Sequence, residues 1–415
     1  MNLTRTVPDA RRHDLAFWSV AFAFLAVMAF STIPSPLYGL YQQRDGFSAF
    51  VITLIYAAYA VGVVSSLILA GHISDWHGRR RVLLPAIAIT VVSALVFLVW
   101  RDLPGLIVAR IINGFSVGIV TATATAYLAD LHTATRPGTG NRRSQVVATV
   151  VNVGGLGLGS LIAGLLAQWA GSPLTVPYAV FVVVLLVAFA LVAVAPDPHT
   201  TPNPRPPYRI QRLAVPAEAR GAFFAAALGA FVAFGVLGLF TGLASTFLIG
   251  TLHQSSHALA GFTVFVMFAA GVVVQIATLP WSVRRVLALG IALMLLGLAL
   301  TVLAVWLPAP SLALLLIGGA VSGAGGGAVF KGAVGTVIEI SPADTRAEAL
   351  AGLFLAGYLG LSFPAVGAGI ALQYVSARDT LLGFAVIVGV GIVATASRLL
   401  GSGATPAAIA ANSAA

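Results

Sequence analysis

Twelve stretches of this 415-residue sequence are apolar for long enough to cross a bilayer, and short polar connections separate them. A helix rises only about 1.5 Å per residue, so about 20 apolar residues are needed to span the hydrocarbon with every backbone N–H and C=O satisfied inside the segment. The stretches cover residues 15–40, 47–71, 82–100, 104–129, 144–169, 174–195, 220–248, 258–280, 285–307, 311–338, 346–374 and 379–400. The expected fold class is all-α, a polytopic membrane protein. Only 8% of the residues are charged and 59% are apolar, with a mean hydropathy of +1.00. Ordinary soluble domains carry about 25% charged residues, so no water-facing surface could be assembled here.

The arginines set the orientation. With the N-terminus cytoplasmic, the inner side collects seventeen of them, among them Arg11, Arg12, Arg79, Arg80, Arg81, Arg136, Arg142, Arg143, Arg284, Arg285 and Arg346. The outer side holds three, Arg44, Arg101 and Arg378, each followed directly by an aspartate. This is the positive-inside asymmetry, and it puts both termini in the cytoplasm. The net charge of +10 thus reflects topology, and nothing points to a nucleic-acid partner, which would need the cations gathered on one face. The basic head precedes a span of about 26 residues rather than a short apolar core with a small-residue cleavage site, so the first span is expected to be retained.

Between the sixth and seventh stretches lies PDPHTTPNPRPPYRIQRLAVPAEAR, with seven prolines and four arginines. Such a segment cannot continue a helix and reads as a semi-extended cytoplasmic linker. The expected organisation is an N-terminal segment 1–13, a six-helix half 14–195, the linker 196–219, a second six-helix half 220–400 and a disordered tail 401–415. The halves echo each other: AYLADLHTATR at 126–136 closes span four and TVIEISPADTR at 336–346 closes span ten, while ARIINGFSVG at 109–118 aligns with GGAVSGAGGG at 318–327. Repeats of equal sense place a substrate site between the halves.

The loop after span two reads GHISDWHGRRRVLL, residues 71–84. Gly71 and Gly78 permit a tight reversal, Asp75 stands where a helix dipole favours an anion, and Arg79 to Arg81 anchor the loop at the inner face. An ordinary basic loop with a capping aspartate would account for some of this, but not for the whole spacing. The loop resembles the signature of the major facilitator superfamily, and Arg110-x-x-Asn113-Gly114 in span four resembles its second motif. Gly155, Gly159, Ser160, Ala163 and Gly164 of span five are similar to the drug–proton antiporter pattern, with Ser160 where that pattern has proline and Ala163 where it has glycine.

The resemblance implies a carrier of twelve helices in two six-helix halves that rock against each other, working as a monomer with no cofactor. It also implies an electrostatic inner gate. Asp75 is expected at the N-terminal end of span eleven, and Arg79 or Arg80 is expected to pair with Asp130. Glu339, Arg346 and Glu348 are expected on the same gate from the second half, and Thr345-x-x-Glu348 reads as a capping box.

Lys331 is the only lysine in the chain. Gly319, Gly323, Gly327, Lys331 and Gly335 recur every fourth residue and so form one drifting stripe on span ten. Small residues at that spacing pack helices closely, with Gly155, Gly159 and Gly164 doing the same on span five. A charge at membrane depth is a functional hypothesis by default, so Lys331 is a candidate for the substrate or coupling site. The alternative is a lysine snorkelling to the inner headgroups. Arg110 is a second buried cation, with Asn113 one turn on. No Asp or Glu falls mid-span, so any proton coupling would use an inner-end acid such as Asp130 or Glu339, or Lys331 itself. Pro34-Ser-Pro36 is expected to end the first helix at the interface. His253 and His257 stand four apart with no acid nearby, which is weak for a metal site.

The reading is a secondary transporter of a small molecule, and not an enzyme. Export of an amphipathic compound, with a proton as the candidate counter-ion for antiport, is the expectation from the antiporter-like spans. Uptake of an organic anion follows from two buried cations without a buried acid.

Overall fold

The computed structural model describes residues 7–70, 73–199, 215, 219–342 and 345–400, with side chains described from residue 11 onward. Among these residues the regular elements are helices: α1 (Val7–Thr32), α2 (Pro34–Asp45), α3 (Ala49–Ala70), α4 (Ile73–His77), α5 (Arg79–Val99), α6 (Leu103–Thr135), α7 (Arg142–Trp169), α8 (Val176–Ala193), α9 (Arg220–Gly250), α10 (His257–Ala277), α11 (Val283–Trp306), α12 (Leu312–Ile340), α13 (Arg346–Ala371) and α14 (Ala377–Leu399). Twelve segments of the described chain are long and apolar enough to cross a membrane, with α1 and α2 counted as one and α4 too short to count. Most of the linker, residues 200–214 and 216–218, and the tail 401–415 lie outside the described residues.

α1 stops at Thr32, just before Pro34 and Pro36 as expected, but the apolar span does not end there. After a single turn residue at Ile33 the helix reopens as α2 and runs to Asp45. Both prolines fall in the first turn of α2, where backbone N–H groups have no intrahelical acceptor, so their missing donors leave no bond unmade. Elsewhere a serine opens some of the helices. Ser256 and Ser311 accept the backbone N–H groups of Leu259 at 3.2 Å and Leu314 at 3.3 Å, opening α10 and α12.

The chain divides into two compact units. The first comprises residues 1–34 and 58–211, the second residues 35–57 and 212–415. Within the first, α1 packs against α6, α7 and α8, and α5 packs against α6 and α8. Its core is aromatic: the rings of Phe97 and Tyr178 stack with centroids 4.8 Å apart, and Phe30 meets both. Within the second unit α12 lies against α10 and α11, and α9 against α12, α13 and α14. There Phe234 meets Phe330 at 4.9 Å and Tyr358 at 5.7 Å.

Glycine sets the closest helix contacts, and it does so at equivalent places in both units. In the first, Gly62 of α3 lies against the backbone of α6 at Ile111 and Phe115, while Gly114 and Gly118 of α6 lie against Tyr59 and Ser66 of α3. In the second, Gly271 of α10 lies against Gly323 of α12, while Gly323 and Gly327 lie against Met267 and Gly271. Gly62 and Gly271, Gly114 and Gly323, and Gly118 and Gly327 each stand 209 positions apart. The internal repeat is therefore carried by backbone-to-backbone contact, which only a residue without a Cβ allows.

Candidate functional site

The loop between α3 and α5 is built around one arginine. Gly78 has φ of 93°, a left-handed conformation that suits glycine, and this turn starts α5 directly at Arg79. The Arg79 side chain is buried; its Nε donates to Asp130 Oδ2 at 3.0 Å, and its Nη1 donates to Ser74 Oγ at 2.8 Å and to the Asp75 carboxylate. Of the two arginines that sequence left open, Arg79 is thus the partner of Asp130. Arg80 turns the other way, donating from its side chain to the Ala195 carbonyl at 3.0 Å and from its backbone N–H to Asp197 Oδ2 at 3.0 Å. Gly71 lies outside the described residues.

The second unit does not reproduce this triad among its described residues. Glu339 stands 209 positions after Asp130 but is exposed and makes no ion pair within the described chain. Arg346 donates to the Ser341 carbonyl at 3.4 Å, from the start of α13. The expected capping box is not formed: Thr345 has helical φ and ψ of −105° and −4°, and its side chain caps nothing. A cap needs extended backbone at that residue to aim its oxygen at the third N–H, and here the backbone is already wound. Glu348 stays in the first turn of α13, where the helix dipole suits it.

Arg110 is 2% exposed, deep in the first unit. One guanidinium nitrogen donates to the Ser31 carbonyl at 2.7 Å, and the group lies over the Tyr59 ring with Cζ 4.7 Å from its centroid. A turn later Asn113 is fully buried, and neither its amide oxygen nor its amide nitrogen has a hydrogen-bond partner among the described residues. Leaving such a group unsatisfied costs about 1–3 kcal/mol. The pair offers a cation stacked on an aromatic face and an amide with unused donors and an acceptor, the chemistry that recognises carboxylates and hydroxyls.

Lys331 is the fourth member of the α12 stripe that begins at Gly319. Gly319 faces Phe240 of α9, Gly323 and Gly327 face α10, and Gly335 faces Val283 at the start of α11, so the stripe drifts around α12 as its spacing requires. Lys331 continues the α10 contact. Its ammonium donates to the Gln275 carbonyl at 2.7 Å and to Thr278 Oγ1 at 3.1 Å, at the C-terminal end of α10. There it satisfies a carbonyl left open by the helix end and meets the negative pole of the α10 dipole.

Some groups of the first unit escaped sequence reasoning. Asp197 and His199 follow α8 and fold onto the loop: His199 Nδ1 is 3.5 Å from Asp130 Oδ2 and its Nε2 is 3.1 Å from the Asp75 carbonyl. Asp14 of α1 pairs with Arg143 of α7 at 3.3 Å and with Arg136 at 3.8 Å, and Arg143 also lies over the Phe17 and Trp18 rings. The proline-rich composition of the linker hid the first pair. The second was invisible because long-range ion pairs leave no periodic trace.

The profile of the Major Facilitator Superfamily matches residues 20–285, more than half of the chain. The protein belongs to that superfamily. A member of the superfamily is an integral membrane transporter, which agrees with the twelve apolar helices. Over nearly its whole length this superfamily member shares the fold of solved transporters. These include a mutant of the nucleoside transporter NupG, with a TM-score of 0.74 and 14% identity over 93% of this chain and 100% of that one. A bacterial homologue of the human lysosomal transporter Spinster gives 0.69 and 13%, over 95% and 99% of the two chains. The human organic anion transporter TETRAN gives 0.66 and 17%, over 93% and 99%. At these identities the likeness is one of fold. The arabinose–proton symporter of Bacillus subtilis is 26% identical over 133 residues, 31% of this chain and 29% of that protein. Myo-inositol transporter 2 of Schizosaccharomyces pombe is 31% identical over 78 residues, 19% and 14% of the two chains. The alignments thus span less than a third of either curated relative.

In this superfamily member the antiporter-like residues of α7 serve packing. Gly159 lies against the Ala29 backbone of α1, and a Cβ on Gly155 would stand 2.8 Å from that of Met28. Gly164 is buried in the same helix. Ser160, in the place of the pattern's proline, is fully buried with its hydroxyl unpartnered among the described residues.

Proposed function

We propose that this protein is a secondary active transporter that takes up a small hydroxyl-rich or anionic solute across the cytoplasmic membrane by alternating access, with protons as the coupling ion. The observation that carries the reading is the Arg110–Asn113 pair of α6, a buried cation one turn from a buried amide whose polar atoms are unbonded within the described chain. Its chemistry suits a carboxylate or a set of hydroxyls better than a lipophilic cation, which would be repelled by Arg110. The relatives speak for the same class, since their names give arabinose, myo-inositol, nucleosides and organic anions as cargo. Lys331 then serves to hold α10 against α12 rather than to contact cargo. Asp75, Arg79 and Asp130 form the cytoplasmic gate of a monomer whose termini both lie in the cytoplasm, the orientation supported by the arginine asymmetry.

A second reading is efflux of an amphipathic compound by proton antiport. The tight α1–α7 packing at Gly155 and Gly159 speaks for it, because that glycine spacing is the one similar to the antiporter pattern. Purified protein in liposomes with an imposed pH gradient separates the two. Saturable accumulation of labelled arabinose, myo-inositol, uridine or a dicarboxylate, abolished in Arg110→Ala, supports uptake. Proton-driven extrusion of a lipophilic cation, with no saturable flux of the four solutes, would replace it with the second reading.

A further inference from the structure

The segment leaving α8 runs back over the signature loop. Tyr127 Oη of α6 donates to the Pro196 carbonyl at 2.8 Å, the Arg80 side chain holds the Ala195 carbonyl, and Asp197 receives both the Arg80 backbone N–H and, at 3.2 Å, the N–H of His199. These contacts fix the His199 ring between two acceptors. Nε2 lies 3.1 Å from the Asp75 carbonyl oxygen and Nδ1 lies 3.5 Å from the Asp130 carboxylate, the same oxygen that Arg79 Nε holds at 3.0 Å. A neutral imidazole carries one N–H and can serve only one of two acceptors; the imidazolium carries two and serves both. The charges point the same way. Asp75, Asp130 and Asp197 face the ring or its partners, against Arg79 and Arg80, so the cluster is balanced only when the ring is charged. Tyr127 adds only a hydroxyl, and the nearby His77 is engaged within its own helix with the Ile73 carbonyl at 3.4 Å.

We propose that residues 195–199 are a strap on the gate and that His199 is its positioning residue. Protonation of the ring ties the strap to both the α4 loop and the end of α6, holding Arg79 and Asp130 together, and deprotonation frees the loop. The gating role rests on the transport reading, whereas the coupling of strap to loop does not.

Hydrogen exchange of the full chain in nanodiscs tests the coupling, read in peptides covering 73–84 and 126–136 at about pH 5.5 and about pH 8. After correction for intrinsic rates, the wild-type peptides should exchange about threefold more slowly at the lower pH, the size expected for a partly exposed ion pair. His199→Gln should lose the difference by exchanging fast at both, and His199→Arg should lose it by exchanging slowly at both. An equal pH difference in wild type and His199→Gln would overturn the proposal, as would a pH-insensitive wild type. If His199→Gln loosens the whole chain, the slow exchange of His199→Arg at the higher pH decides. The gating role has its own readout. Once a transported solute is found in liposomes, its pH profile should flatten in His199→Gln, and an unchanged profile beside an intact exchange effect would sink the gating role alone.

Discussion

Arg79 Nε donates to Asp130 Oδ2 at 3.0 Å across 51 residues of sequence, while the same guanidinium bonds Ser74 and Asp75 nearby in the chain. Ser74 lies five residues before Arg79 and Asp75 four, so one planar side chain joins the end of α6 to the loop that precedes α5.

Replacing Arg79 with Lys should leave a point charge that can serve one carboxylate at a time. Because Asp75 and Asp130 are partly exposed, thermal stability should fall by only about 1 kcal/mol. Initial transport rates should fall about tenfold, more than in Arg80→Lys, whose backbone bond to Asp197 survives the change. Equal rates in the two variants would remove Arg79 from the gate.

Arg110 separates function from folding. Met is close to it in length and apolar, so Arg110→Met should lower stability only by the lost bond to the Ser31 carbonyl, about 1–2 kcal/mol, yet lose saturable transport. Arg110→Lys should retain little more, because lysine cannot stack flat on the Tyr59 ring. Full transport in Arg110→Met would show that the cation serves packing alone.

Lys331 should behave as a helix-end partner. Lys331→Met removes two hydrogen bonds and a favourable dipole contact, so stability should fall by about 1–2 kcal/mol while KM for the transported solute stays within about twofold. Lys331→Arg should be close to wild type in both. A KM raised about tenfold at unchanged stability would put Lys331 in contact with cargo.

The glycines fall into two classes that substitution should separate. A Cβ at Gly114 or Gly323 would overlap the backbone of the neighbouring helix, at Tyr59 and Met267. Leu at either should cost about 3 kcal/mol or more, seen as lost detergent-soluble protein or a lower melting temperature. A Cβ at Gly383 meets nothing within 4 Å, so Gly383→Leu should change stability by less than about 0.5 kcal/mol.

The stripe Gly323, Gly327, Lys331 was legible in the sequence as a spacing, since every fourth residue of a helix falls on one side. What that side faces was not. The spacing is the same whether the neighbour is a cavity or α10, and only the position of Gln275 and Thr278 decides that the ammonium meets a helix end. Asp130 was legible as an acid closing span four, but the choice of Arg79 over Arg80 depends on the left-handed turn at Gly78, which aims successive side chains to different places. His199 could not be found at all, because the proline-rich run around it has no period from which to infer contact.

By itself the sequence determined that the chain is helical and lies in a membrane, that it crosses twelve times, and that its six-span pattern recurs. Each of these is a local demand: apolar length and backbone hydrogen bonding act within a segment, and the repeat is carried residue by residue. The tertiary structure alone decided which charges meet. Arg79 found Asp75 and Asp130, Lys331 found the end of α10, and His199 came to rest between two acids' oxygens. Such pairs are set by the three-dimensional path of distant segments, and at the short range where a charge-assisted hydrogen bond forms, an ångström of helix placement outweighs anything the spacing of residues can specify.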